Sequence, residues 1–226
     1  MEDKKPGCCT DGRPGGVIFD MDGVLLDSEP FICKAACMMF AEHGLTVQPE
    51  DFIPFVGAGE NRYLGGVAEK YAFPFDVERD KARTYEIYAR IVKGRLEPLP
   101  GAHDFVARCR SRRLKLALAT SADEVKMQVN LREIGLPPET FDALVNGLEV
   151  EKKKPDPEIF LAAARKLAVP IARCLVVEDS VNGVAAAKAA GAPCLALLTS
   201  FTREKLTGAD WFAGTLADAP DDVLDW

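Results

Sequence analysis

The 226-residue chain is 48% hydrophobic and 28% charged, which places it among folded globular proteins and apart from disordered, collagenous or coiled-coil chains. Its 28 Lys and Arg against 35 Asp and Glu leave a formal charge of -7, and an acidic body repels nucleic acid and anionic membrane surfaces. No run approaches the roughly 18 apolar residues that cross a bilayer, so no membrane partner is expected.

Residues 1–15 are charged, rich in Gly and Pro and without an apolar signal core, and they read as a disordered tail that carries Cys8 and Cys9. From there residues 17–19 form a short branched apolar run that ends in acids and Gly23, the pattern of a buried strand leading into a loop. Residues 31–96 hold helical periodicity (31–43, 61–71 and 76–92) without an equally clear strand, between turn-forming flanks around Pro30 and Pro98. They read as a helical insertion. Residues 114–119 then make a strand that stops at Thr120 and Ser121, followed by a helix patterned through Val125, Val129 and Ile134. A possible strand at 141–145, a helix at 157–168, a strand at 174–177 ending in Glu178 and Asp179, an Ala-rich helix at 181–190 closed by Gly191 and a strand at 194–198 complete the alternation. Strands alternating with helices predict a parallel sheet covered on both faces.

Seven cysteines with no CxxC spacing, in a chain long enough to build a core without staples, point to a reducing compartment. Cys33 and Cys37 lie four apart on an expected helix, but two histidines, His43 and His103, supply a zinc site poorly.

Chemistry concentrates at the strand ends. Asp20 and Asp22, followed by Gly23, close the first strand, where open α/β sheets bind their ligands. Taken alone, two such acids read as a solvated loop, and Lys154 in its run of three lysines reads as a solvated helix-start charge. If the strands lie side by side, however, Asp20, Asp22, Glu178, Asp179, Thr120 and Lys154 converge on one edge. Four carboxylates so close repel one another by several kcal/mol at an effective dielectric of about 20, so the group needs a cation. Mg²⁺ suits it, being hard, oxygen-seeking and given to coupling carboxylates to a phosphate.

The segments 17–29, 117–121, 154–160 and 177–180 resemble, in order and spacing, the motifs of the haloacid dehalogenase superfamily, in its β-phosphoglucomutase-like and phosphatase branch. The resemblance implies an α/β fold: a Rossmann-like, doubly wound parallel sheet of five strands near order 5-4-1-2-3, with an inserted α-helical cap. It assigns residues 16–30 and 97–226 to the core and 31–96 to the cap. By the same resemblance Asp20 is the nucleophile that forms an aspartyl-phosphate, and Asp22 is the general acid and then base. Mg²⁺ is held by Asp20, the Asp22 main-chain carbonyl and Asp179, with Glu178 direct or through water, and Thr120, Ser121 and Lys154 bind the phosphoryl group. Glu60 and Arg62 lie in the cap segment that contacts substrate in relatives.

The expected activity is a Mg²⁺-dependent phosphatase for a small phosphorylated metabolite such as a sugar phosphate. Mutases of the branch carry a His twelve positions after the nucleophile and an Arg in the cap loop; here Ile32 and Glu60 stand there, which favours hydrolysis over mutase chemistry. True dehalogenases lack the second motif Asp. A regulatory module without turnover is the remaining alternative, since residues 55–68 resemble the haloacid dehalogenase module of multidomain plant chloroplast proteins. A monomer is expected, cytoplasmic, or in the plastid stroma if a transit peptide has been removed. Trp211 and Phe212 are expected to pack under a final short strand, and residues 199–203 either rim the pocket or form a plain loop.

Overall fold

The computed structural model describes residues 14–56 and 59–226; Cys8, Cys9 and nearly all of the expected tail lie outside the described residues. The strands are short branched or small apolar runs, and their alternate side chains feed two separate cores, as the two-residue period of a strand requires. In β1 (Gly16–Phe19), Val17 and Phe19 join one core while Ile18 joins the other. Leu116 and Leu118 of β2 (Lys115–Ala119) and Leu175 and Val177 of β4 (Cys174–Glu178) follow Val17 and Phe19, whereas Ala117 and Val176 follow Ile18. With β3 (Ala143–Val145), β5 (Cys194–Leu197) and β6 (Trp211–Ala213) they form one parallel sheet in the order β3-β2-β1-β4-β5-β6.

The expected order is present, read from the opposite edge, but the sheet has six strands where five were expected. Trp211 and Phe212 do not lie under the last strand; they belong to it. Three residues between polar turns carry too little periodicity to stand out, yet their backbone pairs with β5 and covers what would be a bare edge.

On one face lie α4 (Ala102–Ser111) and α5 (Glu124–Glu133), with Phe105 edge-on to Phe19 at 6.0 Å between ring centres. On the other lie α6 (Glu158–Leu167) and the Ala-rich α7 (Val181–Ala190). The hydroxyl of Ser180 caps α7 by accepting from the Gly183 amide at 3.0 Å, and Gly191, at φ +79°, closes it.

Between β1 and α4 the chain forms α1 (Glu29–Glu42), α2 (Glu60–Lys70) and α3 (Val77–Val92), with α1 packed against α3. This excursion leaves and returns at one place, because the Leu99 amide donates to the Leu25 carbonyl at 2.8 Å and Leu26 forms an antiparallel bridge with Pro98. No helix among the described residues is long and apolar enough to cross a membrane.

Candidate active site

β1 is the central strand, flanked by β2 and β4, and its pairing runs one residue past its end: the Asp20 amide donates to the Val177 carbonyl at 2.9 Å. That fixes Asp20 over the carboxyl edge of the sheet, beside the end of β4. The following turn is tight, with the Gly23 amide on the Leu26 carbonyl at 2.7 Å. Gly23 holds φ +77°, and a Cβ there would overlap the Asp179 carboxylate, so only glycine lets the loop after β1 lie against the end of β4.

Lys154 reaches this edge from the loop before α6, across a cis peptide to Pro155. Its ammonium donates to Asp20 at 2.5 Å and to Glu178 at 2.7 Å, with all three side chains buried or nearly so. The second oxygen of Glu178 accepts from the amides of Asp179 and Ser180, each at 2.8 Å, and from the Ser180 hydroxyl at 2.9 Å. Burial pushes the Asp20 carboxyl up, Lys154 pulls it back and the Glu178 charge adds to the rise, which leaves it at about 7. Burial likewise drives Asp179 well above the usual carboxylate range, with the charges of Glu178 and then Asp20 adding to it. For Lys154 burial acts downward, and the attraction of Asp20 and Glu178 more than reverses it, so the ammonium stays charged.

Asp22 sits one turn of chain away. Its Oδ1 accepts from the Ser28 amide at 3.3 Å and from the Ser28 hydroxyl, and its Oδ2 accepts from Lys126 of α5 at 3.1 Å. Thr120 at the end of β2 is 2% exposed; its amide donates to the Val145 carbonyl at 3.0 Å and its hydroxyl accepts from the Ala122 amide at 3.1 Å. Ser121 follows in a bend whose carbonyl lies against Gly147, where a Cβ would overlap it.

This strand-end arrangement has counterparts among known proteins. The sequence pattern of haloacid dehalogenase-like hydrolases matches residues 15–191. The chain belongs to that family. Among its relatives, SUPPRESSOR OF QUENCHING 1, a chloroplastic protein of Arabidopsis thaliana, is 43% identical over 203 residues, which are 88% of this chain but 19% of that much longer protein. A phosphorylated carbohydrates phosphatase of Thermotoga maritima is 36% identical over 77% of this chain and 81% of its own length. The crystal structure of CbbY from Rhodobacter sphaeroides in complex with phosphate superposes with a TM-score of 0.84 at 27% identity, covering 94% of this chain and all of that one.

Haloacid dehalogenase-like hydrolases generally use Mg²⁺, and the donor set here suits that ion. Asp20 and Asp179 are close enough for one charge to raise the other's pKa, and both are oxygen donors that a cation would hold ionised. Both oxygens of Glu178 are engaged, one by Lys154 and the other by the start of α7. Among the described residues no three His, Cys, Asp or Glu side chains form a ligand cluster, and the residues that could hold an ion here are Asp20 and Asp179.

The structure also places the other residues named in the sequence reading of this hydrolase. Arg62, expected as a substrate contact, is half exposed; its guanidinium donates to both oxygens of Glu69 at 2.9 and 2.8 Å and lies 4.9 Å above the Phe55 ring, so it is engaged on the surface of α2. Glu60 is 7% exposed, one of its oxygens 3.6 Å from Lys126 and the other without a partner. Residues 199–203 do reach the site: the Thr199 hydroxyl donates to the Gly23 carbonyl at 2.5 Å and the Ser200 hydroxyl to Asp179. Lys126 escapes sequence reasoning altogether, and Ser28, though inside segment 17–29, receives no role from it. In α5 the expected inward residue Val125 is 53% exposed, while Lys126, Met127, Asn130 and Leu131 are buried, a face that apolar periodicity does not pick out because Lys126 and Asn130 are polar.

Proposed function

We propose that the chain is a Mg²⁺-dependent phosphatase acting on a small phosphate monoester, a sugar phosphate or a related metabolite, through an aspartyl-phosphate. The observation that carries this reading is the buried Asp20 carboxylate, aimed by the end of β1 and paired with Lys154, with Asp22 two residues on and Asp179 beside it.

Asp20 attacks phosphorus, so that an O–P bond forms as the ester O–P bond breaks, and Asp22 gives its proton to the departing oxygen. Asp22 then takes a proton from water, whose oxygen attacks the same phosphorus and returns Asp20 as a carboxylate. Lys154 offsets charge on Asp20 and on the phosphoryl oxygens, with Thr120 and Ser121 as further phosphoryl contacts. Asp20, Asp179 and the Asp22 carbonyl, with Glu178 direct or through water, would hold Mg²⁺, which would supply charge neutralisation for the phosphoryl group. Phosphoryl transfer depends chiefly on such positioning and charge compensation.

The phosphorylated carbohydrates phosphatase supports a small phosphorylated sugar as substrate, and the phosphate-bound CbbY supports a site for its phosphoryl group. Ile32 is 2% exposed inside the core, which leaves no polar group at the position where mutases carry His. The 43% identity to a short part of SUPPRESSOR OF QUENCHING 1 favours a second reading, a regulatory module within a larger protein. A panel of metabolite phosphates and p-nitrophenyl phosphate, assayed with Mg²⁺, separates the two. Phosphate release that Asp20→Asn abolishes supports the enzyme, no release from any ester supports the module, and conversion of β-glucose 1-phosphate to the 6-phosphate indicates a mutase.

A further inference from the structure

Lys126 lies outside all four motif segments, yet its side chain is 6% exposed. An ammonium is seldom buried unless specific anions hold it. One partner is Asp22, at 3.1 Å through Oδ2; the other is Glu60, the first residue of α2, at 3.6 Å through Oε1. Three separate segments therefore meet at one nitrogen: α5, the loop after β1 and the start of α2. The remaining oxygen of Glu60 is buried with no hydrogen-bond partner, so its carboxylate has spare capacity toward whatever lies between α2 and the sheet edge.

We propose that Lys126 is a positioning residue, which fixes the orientation of Asp22 and, through Glu60, makes that orientation depend on α2 being seated against the core. An ammonium has donors alone, so it cannot stand in for the acceptor it loses. With α2 drawn away, Lys126 keeps one anion rather than two. Ser28 holds the first oxygen of Asp22 from within the same loop, whereas Lys126 holds the second from α5, and two anchors on different elements set the carboxylate plane. The inference rests on the phosphatase reading, in which Asp22 protonates the leaving oxygen; Lys126 itself touches no reacting atom.

The test is Lys126→Met, which keeps the length of the side chain and removes its charge. Single-turnover release of the alcohol is measured with Mg²⁺ for p-nitrophenyl phosphate, whose phenolate departs without a proton, and for the best alkyl ester of the wild-type panel. The expected result is a skew: a loss of about tenfold to a hundredfold for the alkyl ester, part of what a positioned acid contributes, against less than about threefold for the nitrophenyl ester. Lys126→Arg recovers part of the alkyl activity. Equal losses on both esters mean that the ion pairs only hold the fold together, and overturn the proposal. Where Lys126→Met does not fold, Glu60→Gln, which preserves volume, decides: the same skew in milder form supports the proposal and its absence overturns it. Wild-type protein that releases no alcohol from any ester overturns the phosphatase reading itself, a separate failure.

Discussion

Replacing Lys154 with methionine isolates the charge balance at the strand ends. The ammonium lies 2.5 Å from Asp20 and 2.7 Å from Glu178, with side-chain exposures of 8%, 12% and 1% for the three residues. Removing one partner of a buried ion pair costs about 3–5 kcal/mol, since the remaining charge stays desolvated with nothing to attract it. Glu178 keeps three donors from Asp179 and Ser180, so most of the cost falls on Asp20. Asp20 answers by keeping its proton. In the metal-free wild type its carboxyl sits at about 7 against an ordinary 3.8, so the folded state binds more protons than the unfolded between those values and stability falls as pH rises through that window. Without Lys154 the folded pKa rises further, and the fall continues above pH 7 at about 1.4 kcal/mol per pH unit while the wild type levels off. Urea unfolding in EDTA is therefore expected to show a deficit for Lys154→Met of about 3–5 kcal/mol near pH 8 that is smaller by about 1 kcal/mol near pH 5. A deficit below about 1 kcal/mol near pH 8, or one that does not shrink on acidification, would refute the reasoning.

Gly23→Ala puts a Cβ into the Asp179 carboxylate and imposes a left-handed residue that costs an L side chain about 1–2 kcal/mol. The Mg²⁺ concentration for half-maximal turnover should rise about tenfold or more, and an unchanged Mg²⁺ titration counts against Asp179 as a ligand. Gly101, at φ +82°, lies where a Cβ would overlap the backbone of Ala217, so Gly101→Ala should lower unfolding stability by about 2 kcal/mol or more; a denaturation midpoint equal to wild type contradicts that packing. Hydrogen bonds from Lys70, from the Tyr71 hydroxyl at 2.6 Å and from the Gln48 amide at 2.9 Å hold the Asp51 carboxyl down at about 2. A depressed folded pKa gives stability that is complete above the unfolded value of 3.8 and lost as pH falls through about 2. The melting temperatures of wild type and Asp51→Asn should therefore converge over that interval, and a constant gap would discount these bonds.

The core of the fold was legible because its strands are short apolar runs that must be buried on both faces, and the acids and hydroxyls at their ends stand out against them. Residues 174–177 and 194–198 anticipated β4 and β5 to within one residue for this reason. The end of the sheet was harder to read: Trp211 and Phe212 take strand geometry from β5 rather than from any pattern of their own. The contacts of Ser28 and Lys126 with Asp22, and of Ser200 with Asp179, were hidden for another reason. A lone hydroxyl or ammonium on a helix or loop is, by composition, a surface group, and only tertiary proximity to Asp22 and Asp179 gives it work. Glu60 could be singled out by its place in the chain, but its burial and its partner could not, because both come from α5, more than sixty residues away.

The hydrogen bond from Leu99 to Leu25 and the bridge between Leu26 and Pro98 bear on how such a protein changes over time. They clamp the outgoing and returning strands of the helical excursion together, so its ends stay fixed whatever is threaded between them. Descendants can lengthen or shorten the helices while the strand that carries Asp20 keeps its neighbours, provided that the start of α2 still meets Lys126.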